Sequence, residues 1–242
     1  SEAAIFMNPD KPQIYCLTQR EIDTYHQHYG TALERFHLLP PGVARVERPI
    51  SEKSAIRASL RSELGVAEEQ VVALFVGSDY KRKGVMRNLE ALKSLKDQGE
   101  DLELWVLGAD KPGPYEAFAK QHDLRVRFLG GRSDVARFYD AADFMLHPAH
   151  SESAGKVLIE ALTYGLPVVV SGICGYSKQV GDSGGGVVLE EPFDQMELNK
   201  VVLSIFSSSE RRKALAAKAI NYAINADIYS CTSRFAQMIE EG

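Results

Sequence analysis

Two glutamates, Glu152 and Glu160, lie eight residues apart, with Ser153, Ala154, Gly155 and Lys156 following the first. Between them Val157, Leu158, Ala161 and Leu162 recur at the spacing of one helical face. A helix starting near Gly155 leaves its first N–H groups without intrahelical acceptors, and small residues there let a ligand come close. Those amides and the helix dipole favour an anion such as a phosphate. At about 1.5 Å rise per residue, Glu160 falls roughly 7–8 Å beyond the helix start, while Glu152 precedes it. A ligand with a hydroxyl-bearing ring on each side of a pyrophosphate would meet both carboxylates, and a nucleotide sugar has that shape.

A second group is Gly77-Ser-Asp-Tyr-Lys-Arg-Lys-Gly84, where Lys81, Arg82 and Lys83 put three cations on one loop. Arginine can grip a phosphate through two parallel N–H bonds, and lysine adds a point charge. By itself such a run reads as a solvated surface. It is not a Walker A loop, because the Gly-Lys-Ser/Thr ending is missing. Arg132, after Gly130-Gly131, suits either a ligand contact or a surface helix start. His147 and His150 are more simply packed, hydrogen-bonded side chains than general bases. No His, Cys or carboxylate spacing suggests a metal site. Gly184-Gly-Gly reads as a turn.

These residues need elements to hold them. Apolar runs of strand length fall near 71–76, 102–107, 126–129, 144–147, 168–171 and 186–189. None alternates cleanly, as expected of strands covered on both faces. Helical segments lie between them, near 85–98, 114–122, 134–141, 156–164 and 176–182. The expected fold is α/β, a Rossmann-like doubly wound sheet of six parallel strands. Ligands then bind beyond the carboxyl ends of the strands, on the loops 77–84, 108–113, 130–133, 148–154 and 172–175. Upstream, a helix from Ser51, as N-cap, to about Leu64 is expected, with Gly65 past its end. Residues 14–17 and 36–39 read as strands around a helix capped by Thr18, one βαβ unit too small to bury its own faces. The last stretch, from Gln195, is helical in about three pieces.

The chain has 242 residues, 45% of them hydrophobic, with a net charge of −5. Mild acidity gives no sign of nucleic-acid binding. No apolar run reaches the ~18 residues that span a bilayer, and no signal peptide is visible. Cys16, Cys174 and Cys231 read as reduced thiols in a cytoplasmic protein. The Ser1-Glu-Ala-Ala start, without Met, suits an internal fragment.

Glu152-Ser-Ala-Gly-Lys-Val-Leu-Ile-Glu160 resembles the Glu-x7-Glu signature of retaining nucleotide-sugar glycosyltransferases of the GT-B fold. Thr18-Gln-Arg-Glu-Ile, Arg35-Phe-His-Leu-Leu-Pro-Pro-Gly-Val, Gly77-Ser-Asp-Tyr-Lys-Arg-Lys-Gly-Val, Gly131-Arg-Ser-Asp-Val and Cys174-Gly-Tyr are similar to the lipopolysaccharide-core glucosyltransferases within that group. The resemblance covers nearly the whole chain but only the C-terminal part of those enzymes. It implies that residues 1–42 end the N-terminal acceptor domain and link it onward, partly docked and partly mobile. Residues 43–242 would be the C-terminal nucleotide-sugar-binding half of a GT-B fold.

The resemblance also assigns roles. Arg82 and Lys83 would stabilise the leaving diphosphate, and Glu152 would touch the donor sugar. Glu160 would bind the ribose hydroxyls, and Arg132 would flank the uracil. Gly77, Ser78, Ser153, Ala154, Gly155, Lys156 and Val157 would complete the nucleotide-sugar site, Lys156 either adding charge there or facing solvent. The implied activity is transfer of a hexose from a UDP-sugar to a heptose of the lipopolysaccharide inner core, with retention and with neither metal nor other cofactor. The full-length enzyme would sit peripherally at the cytoplasmic face of the inner membrane. Without the acceptor domain the chain is expected to bind UDP or UDP-sugar and not to transfer. The alternative is a non-catalytic nucleotide-binding or interaction domain derived from a transferase. A dinucleotide-dependent module is disfavoured because no Gly-x-Gly-x-x-Gly follows the first strand of the sheet.

Overall fold

Runs such as Val-Ala-Leu-Phe-Val become strands because branched and aromatic side chains pack well on a pleated surface. The computed structural model describes residues 2–8, 13–46 and 49–241, so residues 47, 48 and 242 of the expected second domain lie outside it. Strands β1 (Ile14–Cys16) and β2 (Phe36–Leu38) pair in parallel as a small sheet. Strands β3 (Val72–Val76), β4 (Glu103–Leu107), β5 (Val126–Phe128), β6 (Phe144–His147), β7 (Val168–Ser171) and β8 (Gly186–Leu189) form the main sheet. Its order is β5-β4-β3-β6-β7-β8, and every pairing is parallel. The expected six-stranded doubly wound sheet is the one observed.

Helices α4 (Val85–Lys96), α5 (Gly113–Gln121), α6 (Val135–Ala141), α7 (Lys156–Thr163) and α8 (Ser177–Ser183) alternate with these strands. Helices α9 (Gln195–Phe206), α10 (Ser209–Asn225) and α11 (Cys231–Glu241) follow as the three C-terminal pieces. Ahead of the main sheet lie α1 (Glu2–Phe6), which the sequence did not signal, α2 (Gln19–Tyr29) and α3 (Ile50–Glu63). Thr18 caps α2 as expected, in a reciprocal capping box with Glu21. The expectation for α3 is corrected. Pro49 is its N-cap, without a side-chain bond, and Ser51 already lies in the first turn. Proline's preset φ starts the helix without a hydroxyl cap.

Both faces of the main sheet are covered. Val72, Leu74 and Val76 join Trp105, Met145, Val168 and Leu158 in one apolar cluster. Ala73 and Phe75 join Leu89, Leu104, Leu146 and Val169 in the other. Each fully buried side chain of this size contributes about 1.5–3 kcal/mol. The strand order reverses between β3 and β6, and the loops after those two strands therefore face one crevice. At the opposite end of the same strands Arg61, buried in α3, bonds Asp143 at 2.7 Å and the Ala141 carbonyl at 3.0 Å. Asp143 Oδ2 also accepts the Val72 N–H at 2.8 Å. One buried ion pair thus ties the starts of β3 and β6 together and sets the spacing of the loops beyond their far ends.

The small sheet is docked on the large one. Arg20, in the first turn of α2, donates to the Ile173 carbonyl at 2.8 Å. Phe235 of α11 meets the Tyr15 ring edge-on at 5.0 Å.

Candidate functional site

The crevice between β3 and β6 is built by close backbone approach. Gly84 has φ 79°, and a Cβ there would lie 2.0 Å from the Pro148 carbonyl oxygen. Only glycine fits, both for the positive φ and for the contact. The Arg82 carbonyl accepts the His150 N–H at 2.8 Å, and Arg87 Nη1 donates to the Pro148 and Ala149 carbonyls at 3.1 and 2.9 Å. The 77–84 and 148–155 loops are thereby joined side by side.

Three of the expected residues meet here. Lys83 Nζ lies 3.1 Å from Glu152 Oε2. Arg82 Nη1 lies 3.8 Å from the same oxygen and donates to the Ser151 carbonyl at 2.8 Å. Its Nε bonds Asp79 Oδ2 at 2.7 Å. Asp79 sits at φ 63°, and its bonds from Arg82 hold its carboxyl below the usual range. The Lys83 side chain lies across Gly77, where a Cβ would meet its Cδ at 2.7 Å. The Glu152 side chain is only 12% exposed. The neighbouring His147 imidazole and the Lys83 ammonium pull its carboxyl down to about 2, against the effect of burial.

His147 ends β6 with no exposed surface. Its ring stacks on Phe75 at 5.8 Å and 11°. Its Nε2 stands 3.7 Å from Glu152 Oε2, beyond direct hydrogen-bond reach. Burial holds the imidazole below its ordinary value, so it is neutral at pH 7.

Gly155, at φ 88°, is the N-cap of α7, with no side-chain bond. The Leu158 N–H donates to the Gly155 carbonyl at 2.9 Å, which leaves the amides of Gly155, Lys156 and Val157 as those a helix start does not satisfy. Glu152 lies close by: a Cβ at Gly155 would be 3.4 Å from its Cγ. The backbone of Glu152 and Ala154, on either side of Ser153, is held by the 172–176 segment. Gly175 N–H donates to the Glu152 carbonyl at 3.0 Å and Tyr176 N–H to the Ala154 carbonyl at 2.8 Å. A Cβ at Gly175 would sit 1.8 Å from the Ser153 carbonyl oxygen and 2.6 Å from Thr18 Cγ2.

Glu160 faces elsewhere. Its Oε2 accepts the Tyr139 hydroxyl at 3.0 Å. Burial, then the Glu160 charge, drives the Tyr139 phenol far above its ordinary value, so it remains a donor. Lys156, 61% exposed, reaches Glu160 Oε1 at 3.7 Å. These three line a cavity of about 520 Å³ with Arg45, Ser133, Val135 and Ala136. A larger cavity of about 830 Å³ opens between α2, the 172–179 segment and α10, and neither glutamate lines it.

Two expected residues lie apart from these groups. Ser78 Oγ accepts the Ala109 N–H at 3.1 Å and so holds the 108–113 loop. Arg132 is spent on Asp134 through bonds of 2.8 and 2.7 Å, and its neighbour Ser133, not Arg132, lines the 520 Å³ cavity. Asp79, Tyr139 and His147 were not singled out by sequence reasoning as site residues. The Asp79-x-x-Arg82 spacing carried a signal for the first. Tyr139 reaches the site from α6 and His147 from the end of β6, and their spacing to the glutamates carries no signal of its own.

The arrangement offers two cations and a helix amide end on one side of a buried carboxylate, and a second carboxylate on the wall of a cavity. Comparison with known proteins agrees. The profile of the family described as "Glycosyl transferases group 1" matches residues 56–222. Lipopolysaccharide glucosyltransferase WaaG of Escherichia coli strain K12 is 40% identical over the whole chain, which spans 65% of that protein. A D-inositol 3-phosphate glycosyltransferase of Xylanimonas cellulosilytica is 32% identical over 84% of the chain and 50% of its own length. The crystal structure of WaaG, described as a glycosyltransferase involved in lipopolysaccharide biosynthesis, superposes over all of this chain and 66% of its own, with a TM-score of 0.91. Anabaena HepE in complex with UDP-glucose superposes with a TM-score of 0.81 over 97% of this chain and 65% of its own, at 21% identity, a likeness of fold. The chain therefore spans about two thirds or less of the relatives it matches, and it belongs to the glycosyl transferases group 1 family, on the GT-B fold.

Proposed function

We propose that this chain is the donor-binding part of a retaining transferase that moves a hexose from a UDP-sugar to a heptose of the lipopolysaccharide inner core. One observation carries the proposal: Arg82, Lys83 and the amide end of α7 converge on one side of Glu152, while Glu160 walls a separate cavity. The WaaG likeness supplies the substrate class.

In this reading the diphosphate lies across the Gly155–Val157 amides. As the sugar–phosphate bond breaks, negative charge grows on the departing diphosphate, and the Arg82 guanidinium, the Lys83 ammonium and the helix end stabilise it. That countercharge replaces a metal ion. Glu152 receives the sugar hydroxyls, and Glu160, held by Tyr139, receives the ribose hydroxyls. The base lies beyond, near Ser133 and Arg132. The acceptor is bound by the part of the relatives' length that this chain does not span, so donor binding without transfer is expected here. The whole enzyme works at the cytoplasmic face of the inner membrane; among the described residues no helix is long and apolar enough to cross a bilayer.

Calorimetric titration with UDP tests this. Wild type binds, Glu160→Ala binds at least tenfold more weakly, and joint replacement of Arg82 and Lys83 by Ala weakens UDP far more than uridine. A wild-type chain that ignores UDP overturns donor binding and favours a non-catalytic interaction domain. Full turnover of the chain alone on an inner-core acceptor overturns the division of labour.

A further inference from the structure

His147 and Glu152 present a mismatch that the donor-binding reading does not use. Both ring nitrogens of His147 are buried and have no hydrogen-bond partner, and Glu152 Oε2, buried beside them, has only the Lys83 ammonium at 3.1 Å. The unpartnered His147 Nε2 faces that oxygen at 3.7 Å. A buried ring nitrogen left without a partner is costly, so such an arrangement calls for an explanation. The imidazole is fixed by stacking on Phe75 and by its place in β6. Glu152 is on a loop, and a small rotation of its side chain closes the gap.

At present the carboxylate leans on Lys83 at 3.1 Å. A diphosphate at the end of α7 carries more charge than a carboxylate and competes for that ammonium. When Lys83 swings to it, Glu152 loses its nearest cation while buried, and needs another donor to stay ionised and in place. The groups facing it are few. Arg82 is engaged with Asp79 and the Ser151 carbonyl. The Cys174 thiol, pushed up to about 11 chiefly by burial, bears on Ser171. The remaining donor is His147.

Resting on the donor-binding reading, we propose that His147 is a positioning residue: its Nε2–H takes over Glu152 Oε2 when Lys83 turns to the diphosphate, and so aims the carboxylate at the sugar hydroxyls. A neutral imidazole suits the task. It is directional, carries one donor, and does not itself compete for the diphosphate.

The experiment uses the whole chain, UDP and UDP-glucose. In wild type labelled with ¹⁵N-histidine, UDP-glucose brings His147 Nε2 into a hydrogen-bonded, protonated state by NMR, and Glu152→Gln changes that signal. The affinity ratio of UDP-glucose over UDP stays flat between pH 6 and 8. His147→Leu, which has no donor, lowers the ratio about tenfold and makes it fall further as pH drops, while UDP affinity holds. His147→Gln, which keeps a donor, restores most of the ratio. If His147→Leu fails to fold, the wild-type NMR signal and His147→Gln decide. A ratio unchanged in His147→Leu, or an Nδ1–H tautomer in the complex, overturns the inference alone. A wild type that does not bind UDP overturns the donor-binding reading, and this inference with it.

Discussion

Glu152 and Glu160 are the same residue type at the two ends of one motif, and the fold treats them oppositely. Glu152 is pressed among Lys83, Arg82 and His147, 12% exposed and ionised down to about pH 2. Glu160 is 31% exposed, stands on the second turn of α7, and has one buried phenol and one loose lysine. The crowded end is made by four chain segments meeting, after β3, after β6, after β7 and at the start of α2. The open end is made by α7 and α6 beside a cavity. Charge is concentrated where a diphosphate would need it, and room is left where a nucleoside would lie.

Substitutions can break or sharpen that contrast. The largest effect is expected at Gly175. In Gly175→Ala the new methyl meets the Ser153 oxygen at 1.8 Å, with backbone on one side and Thr18 on the other. Overpacking of this kind costs about 1–3 kcal/mol, and it displaces the loop that carries Glu152. Urea unfolding should show the loss, and UDP-glucose affinity should fall more than UDP affinity. Gly113→Ala, with open space around it and no positive φ, is the control and should leave both unchanged.

Next in size is the acid limb of stability. The folded-state carboxyl of Glu152 titrates near 2 against an ordinary 4.5, so its contribution is complete above about 4.5 and is lost as pH falls through 2. At neutral pH it amounts to roughly 2 kcal/mol, solvent screening having taken part of it. Urea midpoints of wild type and Glu152→Gln should differ at pH 7 and converge towards pH 2. A difference that does not shrink would mean that the crowding at this end is steric and not ionic.

The smallest effects belong to the open end. Tyr139→Phe removes one hydrogen bond to a charged group, worth about 1.5–3 kcal/mol when fully effective, and UDP should bind some threefold to tenfold more weakly. Lys156→Ala removes an exposed contact at 3.7 Å and should change stability by less than about 0.5 kcal/mol. If Lys156→Ala matched Tyr139→Phe in UDP binding, Glu160 would be held by charge and not by the phenol.

Most of the main sheet was legible in order, because each strand is a run of apolar residues and each is followed by a polar loop and a helical period. The five intervening helices fall within two residues of their expected bounds. The start of α3 was not, since a serine cap and a proline start compete over three residues and only the backbone decides. Arg82, Lys83 and Glu152 were legible as candidates, and the structure brings them together. Arg132 was legible as a basic residue at a loop, yet its pairing with Asp134 turns it from the cavity.

Periodicity and spacing alone determined the alternation of elements, the helix start at Gly155 and the two carboxylates flanking it, because those are matters of neighbours along the chain. The meeting of β6 with β3 was decided in three dimensions, and with it the facing of His147 and Glu152, the lysine laid over Gly77 and the glycine wedge at 175. The strand pairing and the glycine wedge join residues tens of positions apart, and even the near pairs, His147 with Glu152 and Gly77 with Lys83, depend on loops folded over the crevice where strand order reverses.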